Sequence, residues 1–278
     1  MGTMHDSSLL KPKLIFGTGA SSAKDSNELY RLVKTCIKNN IIAFDTAPSY
    51  RTEKVLGDVL KRCIAENLIR RDALFIQSKI DGWQMQEGQI ETYVRNVLND
   101  MHLDYLDSLL VHWPFLEYID DTWKKMQRLQ AEGYVKQLGI CNLRSRNMID
   151  LKYRDIIPEI VQIERNPLNI MEKEVSYCLN EDIWVQAYSP LCKMDERIRD
   201  SVLLKQIAEK YYKNVGQVVL RWQIDTGVTP IFTSKKISRV EEYASVSDFT
   251  LSKKEIDDIS AMNQNYKLYL ESFQCPGM

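Results

Sequence analysis

The chain has 278 residues, 44% of them hydrophobic and 27% charged, which is enough to bury a large core as one domain. Its 37 basic and 38 acidic residues give a net charge of −1, so no field suited to nucleic acid or an anionic membrane surface is expected. Neither a signal peptide nor a membrane span is predicted, because no window approaches the about 18 apolar residues of a span. The six cysteines are scattered without a CxxC pair and are interpreted as reduced thiols. These features predict a soluble cytoplasmic protein, expected to be a monomer.

Short apolar runs alternate along the chain with longer stretches of helical period, a pattern typical of βαβ units and parallel sheets. The candidate strands are 13–17, 41–46, 74–79, 107–112, 136–141, 159–164, 183–188 and 229–234. Candidate crossover helices between them include 27–40, 52–66, 91–103, 122–132 and 201–212. Eight such units in about 260 residues match the size of a closed (β/α)8 TIM barrel. A doubly wound α/β sheet is the competing architecture, since periodicity alone does not exclude it.

No linker, low-complexity tract or charge block divides the sequence. We therefore expect a single barrel domain over residues 1–278, with residues 1–12 as a flexible N-terminal segment.

In a barrel, the loops after the strands carry the chemistry. The second candidate strand delivers Asp45 and leads into Tyr50, the third ends in Lys79 and the fourth in His112. A lysine at the mouth of a closed barrel is partly desolvated and needs an anion, which Asp45 on the adjoining strand can supply. The paired ammonium is expected to depress the pKa of a nearby phenol, so Tyr50 becomes a candidate proton donor.

The segment AFDTAPSYRTEKVLG, which contains Asp45 and Tyr50, resembles the signature of the aldo-keto reductase family. Lys79 at the end of FIQSK and His112 in LLVHWP resemble the catalytic lysine and histidine of that family. The segments QLGICN, VQIERNPLN and QAYSPL follow in the family's order, so the resemblance covers almost the whole chain. FGTGAS after the first strand does not fit the GxGxxG pattern, which argues against a Rossmann cofactor site.

The resemblance implies reduction of an aldehyde or ketone, with hydride from a nicotinamide and a proton from Tyr50. Lys79 would stabilise the developing negative charge, Asp45 would hold Lys79, and His112 would orient the carbonyl as a neutral ring. Trp83 and Trp113, with Phe115 and Phe273, are candidate walls of an open substrate pocket. The expected cofactor-binding residues are Cys141, Asn142, Gln162, Tyr188, Ser189, Ser234, Lys235 and Arg239.

Two segments depart from the family pattern at the cofactor. Cys141 stands where a serine commonly precedes the amide-binding asparagine, which weakens one expected hydrogen bond. With Arg239 aligned on the phosphate-binding arginine, Thr233 and Ser234 replace a usual Lys-Ser pair, and Tyr243 replaces an asparagine that commonly reads the adenine. Lys235 or the adjacent Lys236 could still reach a 2′-phosphate. NADPH is therefore favoured over NADH.

Two other classes of function remain open from the residues. Lys79 could be a Schiff-base nucleophile of an aldolase-type barrel, which requires an uncharged amine and is disfavoured by Asp45. Alternatively, the barrel could be a noncatalytic nicotinamide-binding subunit that senses redox state for a partner. Borohydride trapping tests the first alternative, and cofactor retention without turnover tests the second.

Overall fold

A computed structural model of the protein describes residues 11–19 and 25–270. Most of the predicted flexible segment 1–12 therefore lies outside the described residues, and the single-domain prediction for 1–278 stays a prediction. The strands are β1 (Ile15–Gly17), β2 (Ala43–Asp45), β3 (Phe75–Ile80), β4 (Leu106–Val111), β5 (Val135–Cys141), β6 (Ile160–Glu164), β7 (Trp184–Tyr188) and β8 (Thr229–Phe232).

Each strand pairs in parallel with its neighbour in the sequence, and β8 pairs with β1, so the sheet closes into an eight-stranded barrel. The predicted (β/α)8 fold is confirmed. The doubly wound alternative is wrong, because an open sheet would leave two unpaired edges and β8 would not contact β1.

The helices in the described part of the chain surround this barrel. They are α1 (Ser26–Lys38), α2 (Glu53–Ala65), α3 (Gly82–Glu87), α4 (Ile90–Met101), α5 (Ile119–Ala131), α6 (Ser145–Tyr153), α7 (Glu172–Asn180), α8 (Glu196–Arg199), α9 (Val202–Lys210), α10 (Val215–Asp225), α11 (Ile237–Ala244) and α12 (Lys253–Ser260). Short 3-10 turns occupy Pro48–Tyr50, Arg71–Ala73, Cys192–Met194 and Ser245–Ser247. None of the helices described is both long and apolar enough to cross a membrane.

Several helix starts are set by local side chains. The Asp25 carboxylate accepts from the Glu28 N–H at 2.9 Å and caps α1. At α10, Asn214 and Gln217 exchange side-chain-to-backbone hydrogen bonds of 2.9 Å in a capping box. Such caps satisfy N–H groups that have no partner within the helix, so they fix where each crossover begins.

Side chains alternate along the strands between two apolar layers. One layer packs the outer faces of the strands against the helices and contains, for example, Phe16, Phe44 and Phe232. The other takes one residue from each strand and fills the barrel interior. Its members are Ile15, Ala43, Phe75, Leu110, Cys141, Ile160, Trp184 and Ile231.

Toward the carboxyl ends of the strands, the inward positions become polar. The Gln77 amide donates to Asp45 Oδ2 at 2.7 Å and to Gln186 Oε1 at 2.9 Å, and Gln77 Oε1 accepts from the Ser108 hydroxyl at 2.7 Å. The Gln162 amide donates to Gln186 Oε1 at 3.0 Å and to Asp45 Oδ2 at 3.2 Å. These side chains hydrogen-bond one another across the barrel interior. They form a polar layer, here called the polar floor, whose amide groups also bind the Asp45 carboxylate.

Candidate active site

Asp45, Lys79 and His112 are brought together at the carboxyl ends of β2, β3 and β4. The register pairs Asp45 with Gln77 and Lys79 with Leu110, which places the three side chains on neighbouring strands at the same mouth of the barrel. Because positions two apart on a strand share a face, Gln77 and Lys79 both point inward. The tetrad predicted from sequence, including Tyr50, is therefore gathered in one place.

Lys79 is fully buried and forms an ion pair with Asp45. Its Nζ donates to both carboxylate oxygens of Asp45 at 2.7 Å and to the Thr46 carbonyl at 3.0 Å. Burial alone would lower the pKa of Lys79, but the negative charge of Asp45 outweighs it and the pKa lies above its ordinary value. The amine is held as an ammonium, which is the opposite of what a Schiff-base nucleophile requires.

Tyr50 ends the 3-10 turn Pro48–Tyr50, which directly follows β2. The centroid of its ring lies 4.9 Å from Lys79 Nζ and 5.7 Å from the centroid of the His112 ring, which meets it edge to face. A Cβ on Gly19 would stand 3.1 Å from the ring, so any larger residue there would require the ring to shift by a few tenths of an ångström.

The acidity of Tyr50 differs from the sequence-based expectation. Burial raises the pKa of Tyr50 to about 12, and the Lys79 charge, which lowers it, offsets only part of that rise. Removal of the phenol from water was not visible in the sequence, and here it exceeds the effect of one nearby charge. Tyr50 is accordingly a neutral phenol near neutral pH, the protonated form that a proton donor needs.

His112 is bound by a carboxylate that sequence reasoning did not single out. Its Nδ1 lies 2.5 Å from Asp81 Oδ1, and the other oxygen of Asp81 accepts from the Ser49 N–H at 2.9 Å. Burial raises the pKa of Asp81, but the hydrogen bond and charge of His112 together with the Ser49 N–H hold it below its usual value. One signal was present in the sequence: Asp81 directly follows β3, which extends to Ile80 and not only to Lys79 as expected.

The residues expected near the nicotinamide follow β5, β6 and β7. The Tyr188 hydroxyl donates to Asn142 Oδ1 at 2.8 Å, and the Asn142 amide donates to the His112 carbonyl at 2.9 Å. Asn142 has a φ of 62° and Ser189 a φ of 47°, so both strands end in left-handed turns at this mouth. The Tyr188 ring is half-buried, and its edge faces the Tyr269 ring with centroids 5.9 Å apart.

Two other expected cofactor residues lie deeper than the sequence indicates. Gln162 is 2% exposed, and its amide group donates to Asp45 and Gln186 in the polar floor. Cys141 is fully buried in the inner apolar layer, and its charge-bearing neighbours include Lys79. Burial raises the pKa of the Cys141 thiol, so it is a small uncharged group under the site. Direct contact of either side chain with a cofactor stays a prediction.

The loop between β8 and α11 gathers positive charge. Lys235, Lys236 and Arg239 are exposed at the first turn of α11, and within residues 11–19 and 25–270 they form no ion pair. Ser234 Oγ accepts from the Lys236 N–H at 2.9 Å, which shapes the loop just before the helix. Tyr243, by contrast, is 3% exposed and packs its ring edge-on against Phe232, so it belongs to the core.

The expected aromatic walls lie on the β3 and β4 loops. Trp83 is 53% exposed on α3, and Trp113 is half-buried next to His112. A Cβ on Gly82 would stand 2.3 Å from the Phe115 ring, so this glycine lets the two loops pack face to face. Phe273 lies outside the described residues.

A buried glutamate that sequence reasoning gave no role fixes the last part of the described chain. Glu164, the final residue of β6, accepts from the N–H groups of Leu268 and Tyr269 at 2.8 and 3.0 Å. The chain is thereby held beside Tyr188 at the barrel mouth. The partners of this carboxylate lie about 100 residues away in the sequence, so no local pattern indicates its role.

Comparisons with known proteins agree with this geometry. The model of the "Aldo/keto reductase family" matches residues 13–264. Glyoxal reductase of Bacillus subtilis is 35% identical over 257 residues, covering 91% of this chain and 90% of that protein. The crystal structure of Bombyx mori aldo-keto reductase AKR2E4 in complex with NADP superimposes with a TM-score of 0.87 at 29% identity, over 95% of this chain and 92% of that one. AKR2E5 complexed with NADPH gives a TM-score of 0.88 at 26% identity, over 95% and 88%.

Proposed function

Because this chain belongs to the aldo-keto reductase family, we propose that it reduces an aldehyde or ketone to an alcohol, with NADPH as the hydride source and Tyr50 as the proton donor. The observation that carries the proposal is the convergence of Tyr50, Lys79 and His112 at one mouth of the barrel, with Lys79 Nζ 4.9 Å from the Tyr50 ring centroid.

Each side chain would have a separate role in the reaction. When bound, NADPH supplies a hydride to the carbonyl carbon, and the carbonyl oxygen, which takes up the electron pair of the C=O bond, must then gain one proton. The Tyr50 hydroxyl donates that proton. A phenol whose pKa is about 12 is fully protonated near neutral pH and still a much stronger acid than an alcohol, so the transfer is downhill. Lys79 stabilises the phenolate left behind, and Asp45 keeps Lys79 charged.

The residues present fit a nicotinamide dinucleotide. The half-buried Tyr188 ring offers an apolar face, and the Asn142 amide beside it offers a donor and an acceptor for a carboxamide. The exposed Lys235, Lys236 and Arg239 provide three cations at the start of α11 for phosphate. A 2′-phosphate would use this charge and a hydroxyl would not, so we favour NADPH over NADH.

We propose small carbonyl compounds as substrates, since the relative named glyoxal reductase covers nearly the same length. Trp83 and Trp113 would form apolar walls of an open site.

We also propose a cytoplasmic monomer that binds no nucleic acid, supported by the net charge of −1 and by five described cysteines that are all unpaired. Light scattering after size-exclusion chromatography tests the monomer.

The experiment that tests this function follows the oxidation of NADPH and of NADH with glyoxal, methylglyoxal, aromatic aldehydes and keto sugars. We expect turnover with NADPH to exceed turnover with NADH. Tyr50→Phe should lower kcat by at least about 10²-fold, because it removes only the proton donor. Tyr153→Phe is the matched control, since Tyr153 is 87% exposed on α6, and it should leave turnover unchanged.

Other results would favour other functions. Equal turnover in Tyr50→Phe and the parent protein would contradict the role of Tyr50. Trapping of a substrate on Lys79 by borohydride would support aldolase-type chemistry, whereas tight NADPH binding without turnover of any carbonyl would support the redox-sensing subunit.

A further inference from the structure

Asp81 connects the two side chains that would handle the proton and the carbonyl. One of its oxygens lies 2.5 Å from His112 Nδ1, and the other accepts from the N–H of Ser49, the residue before Tyr50. Asp81 is 8% exposed, and its own N–H donates to Gln84 Oε1 at 2.7 Å, so its position is fixed by the start of α3. A single carboxylate therefore ties the Tyr50 turn to the His112 ring.

This arrangement decides which nitrogen of His112 carries a proton. An ionised carboxylate is only an acceptor, so the bond to Asp81 requires a proton on Nδ1. If the ring is neutral, Nε2 then has a lone pair and no hydrogen, and it cannot donate to a carbonyl oxygen. Nε2 can donate only when the ring carries both protons. Among the residues described, Nε2 has no hydrogen-bond partner, so it is the nitrogen left for a substrate.

We propose that Asp81 is a positioning residue that fixes a proton on Nδ1 of His112, so that His112 binds the substrate carbonyl only in its imidazolium form. This inference rests on the proposed reductase function, and it replaces the neutral ring expected from sequence. The imidazolium would donate from Nε2 to the carbonyl oxygen while Tyr50 delivers the proton that the alcohol retains. Reduction should therefore decline as the pH rises.

Other charged and titratable groups lie close to Tyr50 and Asp81, the two side chains that contact the His112 ring, and their effect on the pH profile must be distinguished from that of His112. The Tyr50 ring contacts the His112 ring. Asp45, Lys79 and Cys141 interact electrostatically with Tyr50, and Glu53 and Tyr93 interact with Asp81. The pKa of Tyr50 is raised to about 12, and the pKa values of Lys79 and Cys141 are also raised. The alkaline decline is therefore assigned to His112 only if it disappears when the carboxylate of Asp81 is removed.

The first test is a nitrogen NMR spectrum of the unmodified protein labelled in its histidines. The sequence contains three histidines, so His102→Gln and His112→Gln variants suffice to assign the resonances. We expect the neutral ring of His112 to carry its proton on Nδ1. A neutral ring protonated on Nε2 would overturn the proposal. This readout needs no turnover, so it stands or fails separately from the proposed function.

The second test compares the pH profile of kcat/KM for carbonyl reduction in the parent protein and in Asp81→Asn. An asparagine can donate to Nδ1, which allows a neutral ring with its proton on Nε2 that still donates to the carbonyl. We expect kcat/KM to fall about tenfold near neutral pH, less than the ~10²-fold or more of a lost proton donor, and the alkaline decline to disappear. A merely structural role would scale the profile and keep its shape, and that result would contradict the proposal.

The protein contains a matched control pair. His102 Nε2 lies 2.8 Å from Asp58 Oδ1 on the outer surface, so Asp58→Asn removes a carboxylate from a histidine that is remote from the site. Its pH profile should equal that of the parent protein. If Asp81→Asn fails to fold, the NMR measurement on the parent protein still decides the tautomer.

Discussion

At the scale of single residues, the proposed chemistry depends on a buried charge pair. Lys79 is fully buried and Asp45 is 3% exposed, so each charge would be strongly disfavoured without the other. The amide groups of Gln77 and Gln162 add two further donors to Asp45 Oδ2. Stability and the proposed catalysis are therefore expected to be linked at this pair, since the ammonium that would stabilise the Tyr50 phenolate is the one that the fold must neutralise.

A double-mutant cycle tests this link. Asp45→Asn should lower the free energy of unfolding by about 3 to 5 kcal/mol, because it leaves the Lys79 ammonium buried without its counter-charge. Lys79→Met should cost a similar amount. The double variant should cost clearly less than the sum, because neither charge then remains. Urea unfolding measures all four proteins, and additive costs would show that the two side chains are not coupled.

How much of the site was predictable also depends on the residue. Asp45, Lys79 and His112 could be proposed as site residues from the sequence because each follows an apolar run at a strand end. Asp81 was not singled out because its hydrogen bond to His112 forms between two different loops and leaves no local sequence pattern. The raised pKa of Tyr50 could not be foreseen, because residue type indicates the nearby charge and not the extent of desolvation.

At the scale of secondary structure, two of the helices that surround the barrel, α2 and α4, make one very close backbone contact. A Cβ on Gly57 of α2 would stand 2.2 Å from the Cα of Met101 at the end of α4, so the two backbones touch where glycine is present. Backbone atoms cannot move aside as the end of a flexible side chain can. The interval between these helices is therefore set by a residue without a side chain.

Gly57→Ala is expected to destabilise the protein although alanine is the better helix former. The gain in helix propensity is about 1 kcal/mol, whereas overpacking against backbone costs about 3 kcal/mol, so a net loss of about 2 kcal/mol is expected. Urea unfolding measures it. Lys61→Ala, on the exposed face of the same helix, should change stability by less than about 0.5 kcal/mol. An equally stable Gly57→Ala would contradict the close packing.

At the scale of the whole molecule, Glu255 makes stability depend on acid pH. It accepts from Lys210 Nζ at 2.7 Å and from the Tyr211 hydroxyl at 2.9 Å, which joins α12 to α9. Burial alone would raise the pKa of Glu255. The hydrogen bond from Lys210 and the other hydrogen bonds to the same carboxylate outweigh burial and lower the pKa to about 2. A carboxyl whose pKa is lower in the folded state stabilises the protein above its ordinary pKa and loses that contribution as the pH falls toward 2.

Glu255→Gln should therefore lower the free energy of unfolding at pH 7 by about 1 kcal/mol, and by much less at pH 3. Urea unfolding at both values gives the difference. Glu241→Gln is the control, because Glu241 is exposed and has no hydrogen bond in the described part of the chain. A loss from Glu255→Gln that is equal at both pH values would refute the assignment.

The closed barrel itself was predictable because the eight apolar runs indicate eight strands. The helix-length segments between them favour parallel pairing of consecutive strands. The polar floor of Gln77, Ser108, Gln162 and Gln186 was not, since each residue is ordinary alone. Its hydrogen bonds form only because closure of the barrel places β3 and β7 opposite each other across the interior.

The positions of the five tryptophans have a consequence for spectroscopy. Trp123, Trp184 and Trp222 are at most 5% exposed, whereas Trp83, on α3 after β3, is 53% exposed and Trp113, just after β4, is half-buried. Intrinsic fluorescence thus has two sources: emission that an iodide quencher reaches reports events at the barrel mouth, and emission that it cannot reach reports the integrity of the core. A single cuvette can follow ligand binding and unfolding separately, without an attached dye.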